Sequence, residues 1–591
     1  MHDVIVMGAG HDGLAAAATL GRAGKRVLVL ERKNRIGGRL VTEEVFPGFK
    51  VSPCVNTGGR LRPQLIKDLC LSVDYIPHDP LVLAPLADGK HLSLWRATRR
   101  TMDEIARFSP RDANTYPRFL MFLRRVVNAL EHALDLAPPS VEAPQTTELV
   151  SMARVGVNLR LLGDENLVRF MRMGTMPLAD FLDEWFETDV LKAAIAGLAL
   201  QGTVHGPRAP GTASLLILAN LVGYGDTPRG GMGAVPAALL AACRAQGVEV
   251  RTGAEVTCLL FSNGAVSGVR LANGEEIPAA RVLAAGDPRE ACLKLVPPEV
   301  LPPTVTLNAR NFRTRGRVAR INLALKSLPE FACLRGEHFQ KGKHREGHFS
   351  ERLRGRIHFG GSMDALERAA DDAKYGRWSK EPVVEMTIPT IMDPGRAPNG
   401  QHVAELLVQS APYGLREGDW NSRREEFADD VLGWLETFVP GLRDAVLHRQ
   451  VLTPLDLEQK YGLSQGHLQH GDHGLEQLFF LRPMPGTYRY ATPLPGLYLC
   501  GAGTHPGAGV TAASGANAAR EVLLSYQGTS RTRESVKAAA KSPVGAGLML
   551  FGAGLAVGAA YKALTRKPND VTSAAVERRR SDDTTQEDLQ V

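Results

Sequence analysis

Apolar runs and Gly-rich turns alternate at both ends of the chain, with helical periodicity between them. Residues 3–7 are apolar and β-branched and predict a buried parallel strand. Ala-rich residues 14–23 predict a helix and residues 27–30 a second strand, so the amino terminus forms a βαβ unit. Residues 95–200 are expected to be helical. Within them, residues 116–136 bring Phe119, Phe122, Leu123, Val126, Val127, Leu130 and Leu134 near one face, with Arg118, Arg124 and Arg125 around the rest. That face suits either a core-facing helix or a lid at a membrane surface. Residues 210–221 are apolar and are expected at a domain join. Further on, the pattern predicts a helix at 236–245, a strand at 256–261 and a hairpin closed by Asn273-Gly274. Residues 309–450 read as a second α+β domain, followed by a strand at 497–500 and a helix at 510–524.

Residues 542–561 carry no charge. As a helix they would span about 30 Å, the thickness of a bilayer core. Gly554 and Gly558 give a G-x-x-x-G spacing through which two such helices would pair, so a homodimer is one expectation. A membrane anchor is expected here, preceded by a linker at 526–541 and followed by a disordered tail at 562–591. A buried or peripheral helix and a flexible tail are the alternatives.

At 591 residues the chain supports two or more domains. A net charge of +7 suits an anionic surface or ligand without proving either. Seven cysteines with no C-x-x-C pair argue against a dithiol centre, a zinc ribbon or a disulfide framework, and favour a reducing compartment. A first strand at residue 3 leaves no room for a leader, so the globular part is expected on the cytoplasmic side of a membrane. Basic clusters at 310–320 and 341–356 lack interleaved stacking aromatics, so no nucleic-acid partner is expected.

The chemistry is concentrated in the turns. Gly8, Gly10 and Gly13 follow the first strand as G-x-G-x-x-G: the first allows a tight turn, the second lets a pyrophosphate approach the backbone, and the third packs helix against strand. Glu31, at the end of the second strand, would accept hydrogen bonds from a ribose, with Arg32 beside it. Gly37, Gly38 and Arg39 follow. This E-x5-G-G-R spacing resembles the FAD-binding class that includes amine oxidases and carotenoid desaturases, so FAD is expected rather than NAD.

The order of segments beyond it resembles the phytoene-desaturase-like oxidoreductases, and most of all the branch called pyridine nucleotide-disulphide oxidoreductase domain-containing protein 2. The resemblance rests on TEE-x-FPGFK at 42–50, the Gly-rich L-R-P turn at 58–63, P-x-GGMG at 228–233, segments at 317–331, 371–377 and 385–398, and GAGTHPGAG at 501–509. It covers residues 1–525. It implies that Gly231 and Met232 approach the flavin, that Val256 lies beside the adenine, and that Gly501, Ala502, Gly509 and Val510 form the carboxy-terminal wall of the cofactor site. Helix N–H dipoles there would stabilise reduced flavin.

His467, His470 and His473 are spaced by three with Asp472 between them. In a Gly-rich segment this favours a polar loop, and no metal is expected. His470 matches the family's G-N-I-x-H-G loop. With no clear general base in view, His470 and His505 are the catalytic candidates.

The expected architecture is an α/β, Rossmann-type FAD-binding domain built discontinuously from 1–66, 226–308 and 480–525. A helical/lid and substrate region at 67–225 and an α+β substrate domain at 309–479 complete it, with a C-terminal hydrophobic helix. The resemblance implies hydride transfer between flavin and an apolar small-molecule substrate, isoprenoid, carotenoid-like or lipid. A membrane-tethered FAD-fold interaction protein with little turnover is the alternative. An amine oxidase is less favoured, because only Tyr488 and Tyr490 stand near the site as aromatics. A pyridine nucleotide–disulfide reductase is weaker still, since it needs paired thiols.

Overall fold

The computed structural model describes residues 2–139, 146–223, 225–335, 351–507 and 509–527. The linker beyond 527, the apolar segment 542–561, the tail and most of the 341–356 basic cluster lie outside the described residues. Among the described residues no helix is long and apolar enough to cross a membrane; the expected anchor at 542–561 lies outside them.

The βαβ unit forms as the pattern requires. Strand Val4–Met7, helix His11–Arg22 and strand Val27–Glu31 follow in order, with both strands fully buried. Around them a five-stranded parallel sheet assembles in the order Leu497–Cys500, Val282–Ala285, Val4–Met7, Val27–Glu31, Glu249–Thr252. Segments from the beginning, middle and end of the chain thus share one sheet, because each is a short apolar run that needs burial on both faces. A three-stranded antiparallel sheet, Val256–Ser262, Ala265–Leu271 and Glu276–Pro278, stands beside it. The carboxy-terminal helix begins at Ala513, three residues later than the pattern suggests, and packs along helix His11–Arg22. There a Cβ on Gly515 would lie 2.0 Å from the Asp12 carbonyl, so only glycine allows the approach.

A seven-stranded mixed sheet forms the second layer, in the order Val446–Leu452, Val318–Leu325, His402–Gln409, Val384–Thr387, Arg356–Phe359, Val82–Pro85, His91–Leu94. Its last two strands lie just before the residues expected to be helical, within the helical/lid and substrate region at 67–225. Val82–Pro85 joins through a parallel pairing with Arg356–Phe359, a contact between distant segments that local periodicity does not reveal.

Helices between Thr98 and Val222 cap this layer. The helix predicted at 116–136 is Pro110–Leu130, continued by a 3-10 turn at Glu131–Asp135. Its Phe119 and Phe122 pack against Phe181 and Trp185 in the cap core, so the apolar face is a core face. Arg118, Arg124 and Arg125 remain exposed. In the basic cluster at 310–320, Arg313 and Arg315 bond Glu476 and Asp472. Arg320 is buried, where it donates to the Pro53 carbonyl and Asn56 Oδ1.

Candidate active site

The C-terminal ends of the parallel strands open onto a cleft of about 360 Å³. This is where open α/β sheets hold their ligands. Gly8, Gly10, Gly13, Glu31, Arg32, Gly38, Arg39, Val256, Gly501, Ala502 and His470 all line it. Two turns far apart in sequence therefore form the two sides of one site.

The glycines divide by what restricts them. A Cβ on Gly13 would sit 2.1 Å from the Gly8 carbonyl oxygen, and one on Gly8 2.9 Å from that of Ala285. These two are required by the protein itself. A Cβ on Gly10 meets no atom within 4 Å, and neither does one on Gly286, which also lines the cleft. Their bare faces look into open space, as a backbone that must admit a pyrophosphate requires. Gly10 also caps helix His11–Arg22 with no side-chain hydrogen bond, leaving the helix N-terminus open for an anion.

Glu31 is buried at the rim. Its carboxylate accepts from the Ala9 amide at 2.8 Å and the Lys33 amide at 3.0 Å. This fixes an acceptor where a ribose would lie. Gly37 stands one step back, donating its amide to the Ala9 carbonyl at 2.9 Å and so tying the G-G-R turn to the first glycine turn. Arg39 donates to the carbonyls of Leu468 and Gly509, so one guanidinium links this turn to both carboxy-terminal segments.

The remaining expected residues lie elsewhere. Gly231 and Met232 do not reach the cleft: their turn packs on Thr42 and Ser52, with the Met232 amide donating to Ser52 Oγ at 3.1 Å. Gly509 and Val510 border a smaller space of about 40 Å³ beyond Arg39, together with Cys54, Gln201, Leu407 and Leu468. His505 is buried behind the carboxy-terminal turn, with Nε2 on the Ala133 carbonyl at 3.1 Å, and is absent from the cleft wall. Burial holds it near pKa 4. Nothing in that position gives it a substrate or cofactor to act on.

His470 does face the cleft. Its backbone is left-handed, φ 50°, and its Nδ1 has no hydrogen-bond partner although it is buried. Burial, then the charge of Arg39, pushes its pKa down to about 3, so the ring is neutral at ordinary pH. His467 turns away. Its Nδ1 accepts from the amides of Gln469 and Gly471, which leaves Nε2 as the protonated nitrogen, 3.4 Å from Asp472 Oδ1. Among the described residues no three His, Cys, Asp or Glu side chains gather as a metal site.

Periodicity and motif reading pass over Arg482. It is almost wholly buried and donates to the carbonyls of Gln469, Gly471, Asp472, Gln477 and Ala502. Burial lowers its pKa to about 9, still leaving it charged at neutral pH. A lone arginine after the apolar run 478–481 was the available signal. Asp287 was also missed: it caps helix Pro288–Leu293 and lines the cleft with one carboxylate oxygen unpartnered.

A bare glycine cradle, an open helix N-terminus, a buried ribose-height carboxylate and an unpartnered imidazole on one wall fit a flavin dinucleotide. Comparison with known proteins agrees. Residues 13–523 match the flavin containing amine oxidoreductases. The rat pyridine nucleotide-disulfide oxidoreductase domain-containing protein 2 is 36% identical over 549 residues, covering 88% of this chain and 93% of the relative. A phytoene desaturase (neurosporene-forming) of Cereibacter sphaeroides is 26% identical, covering 86% and 91%. The crystal structure of an oxidoreductase from Methanosarcina mazei superposes with a TM-score of 0.57 at 17% identity, covering 88% of this chain and 99% of that one. The chain belongs to the flavin containing amine oxidoreductases, an FAD-dependent family, and FAD is its cofactor.

Proposed function

We propose that this oxidoreductase moves a hydride between an apolar substrate, isoprenoid, carotenoid-like or lipid, and the flavin, forming or saturating a carbon–carbon double bond. The observation that carries this reading is the lining of the space beyond Arg39. Val55, Leu407, Leu468 and Val510 contribute apolar surface there, and the lining contains neither a lysine nor an aromatic side chain. Bound FAD supplies the hydride acceptor. The chain's own residues hold the dinucleotide, exclude water and orient the C–H bond. Neutral His470, like Asp287, stands on the cleft wall with an unfilled hydrogen bond, and its imidazole is available to the cofactor or a substrate proton. The space measures only about 40 Å³, so an extended substrate enters by parting Leu468 and Gln201 from Leu407.

The family match also raises amine oxidation. Tyr490, one of the two aromatics expected near the site, is instead buried with its hydroxyl donating to the His505 carbonyl at 2.8 Å, and forms no part of a cage. The second reading is therefore not favoured. Anaerobic mixing of the FAD-loaded protein with isoprenoid hydrocarbons, lipids and primary amines tests the choice. Bleaching of oxidised flavin by an apolar fraction alone supports the reading. Bleaching by amines alone overturns it.

A further inference from the structure

The space beyond Arg39 is apolar only in part. Gln201 borders it, two residues past the end of helix Asp189–Ala199. Its Oε1 is shut off from solvent and has no hydrogen-bond partner among the described residues. Asn56 borders the same space but has a partner at each end of its amide: Nδ2 donates to Thr387 Oγ1 at 2.9 Å, and Oδ1 accepts from Arg320. A buried acceptor left unmade is costly. One that borders a ligand space points to a ligand that fills it.

The floor of the space is polar on both sides of its apolar centre. Leu407 pairs with Arg320 on one neighbouring strand and with Glu385 on the other, and Glu385 pairs in turn with His358. Paired residues on adjacent strands share a face, so Leu407 sits within a row of polar side chains. Glu385 Oε1 bonds His358 Nδ1 at 2.7 Å, and its Oε2 lies 3.0 Å from Arg356 Nη1. The last turns of helix Asp189–Ala199 rest directly on this row. A Cβ on Gly197 would come 2.4 Å from His358 Cε1 and 2.9 Å from Glu385 Oε1. Gln409 Nε2 donates to the Gly197 carbonyl at 3.4 Å. Gln201 follows four residues later, so the segment that brings its amide to the space is fixed by the charged row. Burying charge is costly, and a site for hydrocarbon alone gains nothing from it.

Water can serve Gln201 Oε1 before a substrate arrives. An apolar body that enters between Gln201 and Leu407 displaces that water, and the acceptor then needs a partner that the substrate itself carries. A hydroxyl meets the need in either orientation of the amide, by donating to Oε1 or by accepting from Nε2. An ammonium group fits less well, because the lining holds Arg39 and no carboxylate. We propose that the substrate is an alcohol with a long apolar body and that Gln201 binds its hydroxyl. An amide takes no proton, so the hydroxyl is held there rather than oxidised, and it sets which carbon–hydrogen bond of the body lies against the flavin. This rests on the apolar-substrate reading and narrows it to compounds that bear a hydroxyl.

Titration of the FAD-loaded full chain at one detergent concentration, followed by perturbation of the oxidised flavin spectrum, tests this with matched probes. Farnesol is set against farnesene, and oleyl alcohol against octadecene. Each alcohol should bind at least about tenfold tighter than its hydrocarbon. Q201L should remove that difference, with the spectrum of bound FAD kept. Q201E, which keeps an acceptor oxygen, should retain it. Hydrocarbons that bind the wild type as tightly as the alcohols overturn the proposal and leave the apolar-substrate reading standing. A Q201L variant that still prefers alcohols overturns it, and so does one that weakens both members of a pair equally. Loss of FAD from Q201L would assign the amide to the cofactor and overturn it too. A flavin that primary amines perturb and neither pair does removes the apolar-substrate reading, and this proposal with it.

Discussion

The guanidinium of Arg482 donates to the carbonyl of Ala502 at 2.6 Å, behind the turn that forms one wall of the FAD cleft. The same group holds the carbonyls of Gln469 and Gly471 on either side of His470. One buried cation therefore fixes both the carboxy-terminal turn and the His470 imidazole on the cleft wall. No lysine matches its planar fork of donors.

Arg482→Met leaves five buried carbonyls short of a donor. Stability should fall by about 3 kcal/mol or more, with charged hydrogen bonds counted at roughly 1.5–3 kcal/mol each and losses not additive. Arg482→Lys should recover only part of it. Denaturant unfolding checks both, and a Met variant as stable as the wild type would show that the loop holds itself.

Gly10 and Gly13 should separate ligand from fold. Gly10→Ala places its methyl in open space at φ −71°, a conformation alanine accepts. The apoprotein should keep its melting temperature while FAD affinity falls at least about tenfold, through lost approach of the pyrophosphate. Gly13→Ala collides with the Gly8 carbonyl and should destabilise the apoprotein itself. Differential scanning and FAD titration distinguish the two. An affinity unchanged in Gly10→Ala would remove the dinucleotide from this turn.

His470→Ala should slow flavin reduction by about a hundredfold if its open nitrogen handles a proton. His505→Ala should leave the reduction rate per folded molecule unchanged, since that ring bonds the Ala133 carbonyl away from the cleft. Stopped-flow reduction of both variants checks this pair. Equal slowing in the two would contradict the assignment.

Acid should destabilise the fold early. His467, His473 and His505 are buried and His470 is half-buried, and loss of solvent is the largest cause of their depressed pKa values. The unfolded chain binds these protons below about pH 6.5, while the native state resists them until near pH 4 or lower. The native state thus binds fewer protons, and the stability these groups contribute is complete above pH 6.5 and lost as pH falls. Each contributes a slope on the order of 1.4 kcal/mol per pH unit inside that window. The melting temperature should drop steeply between pH 7 and pH 5, whereas a flat profile would mean that these rings titrate freely.

The amino-terminal unit was legible because each residue there answers to a local rule. Strand burial, glycine spacing and Glu31 follow from short-range geometry, and all reappear within residue or two of their expected places. The turn Gly501-Ala502 was expected from the family resemblance of GAGTHPGAG rather than from a local rule, and it lines the same cleft. What local pattern could not show was long-range pairing. Val82–Pro85 carried no strand expectation, and its parallel pairing with the distant Arg356–Phe359 is what joins it to the large sheet. Arg482 was hidden because its partners are backbone carbonyls, which have no signature in side-chain identity. His505 was overvalued for the opposite reason. Its motif neighbours line the site while its own ring points to Ala133.

The central claim is that two distant glycine turns build one FAD site, and the visible spectrum of the purified full chain tests it most directly. Bands of oxidised flavin, with FAD rather than FMN released on denaturation, are the predicted result. A folded, colourless protein that cannot be reconstituted with FAD would contradict it.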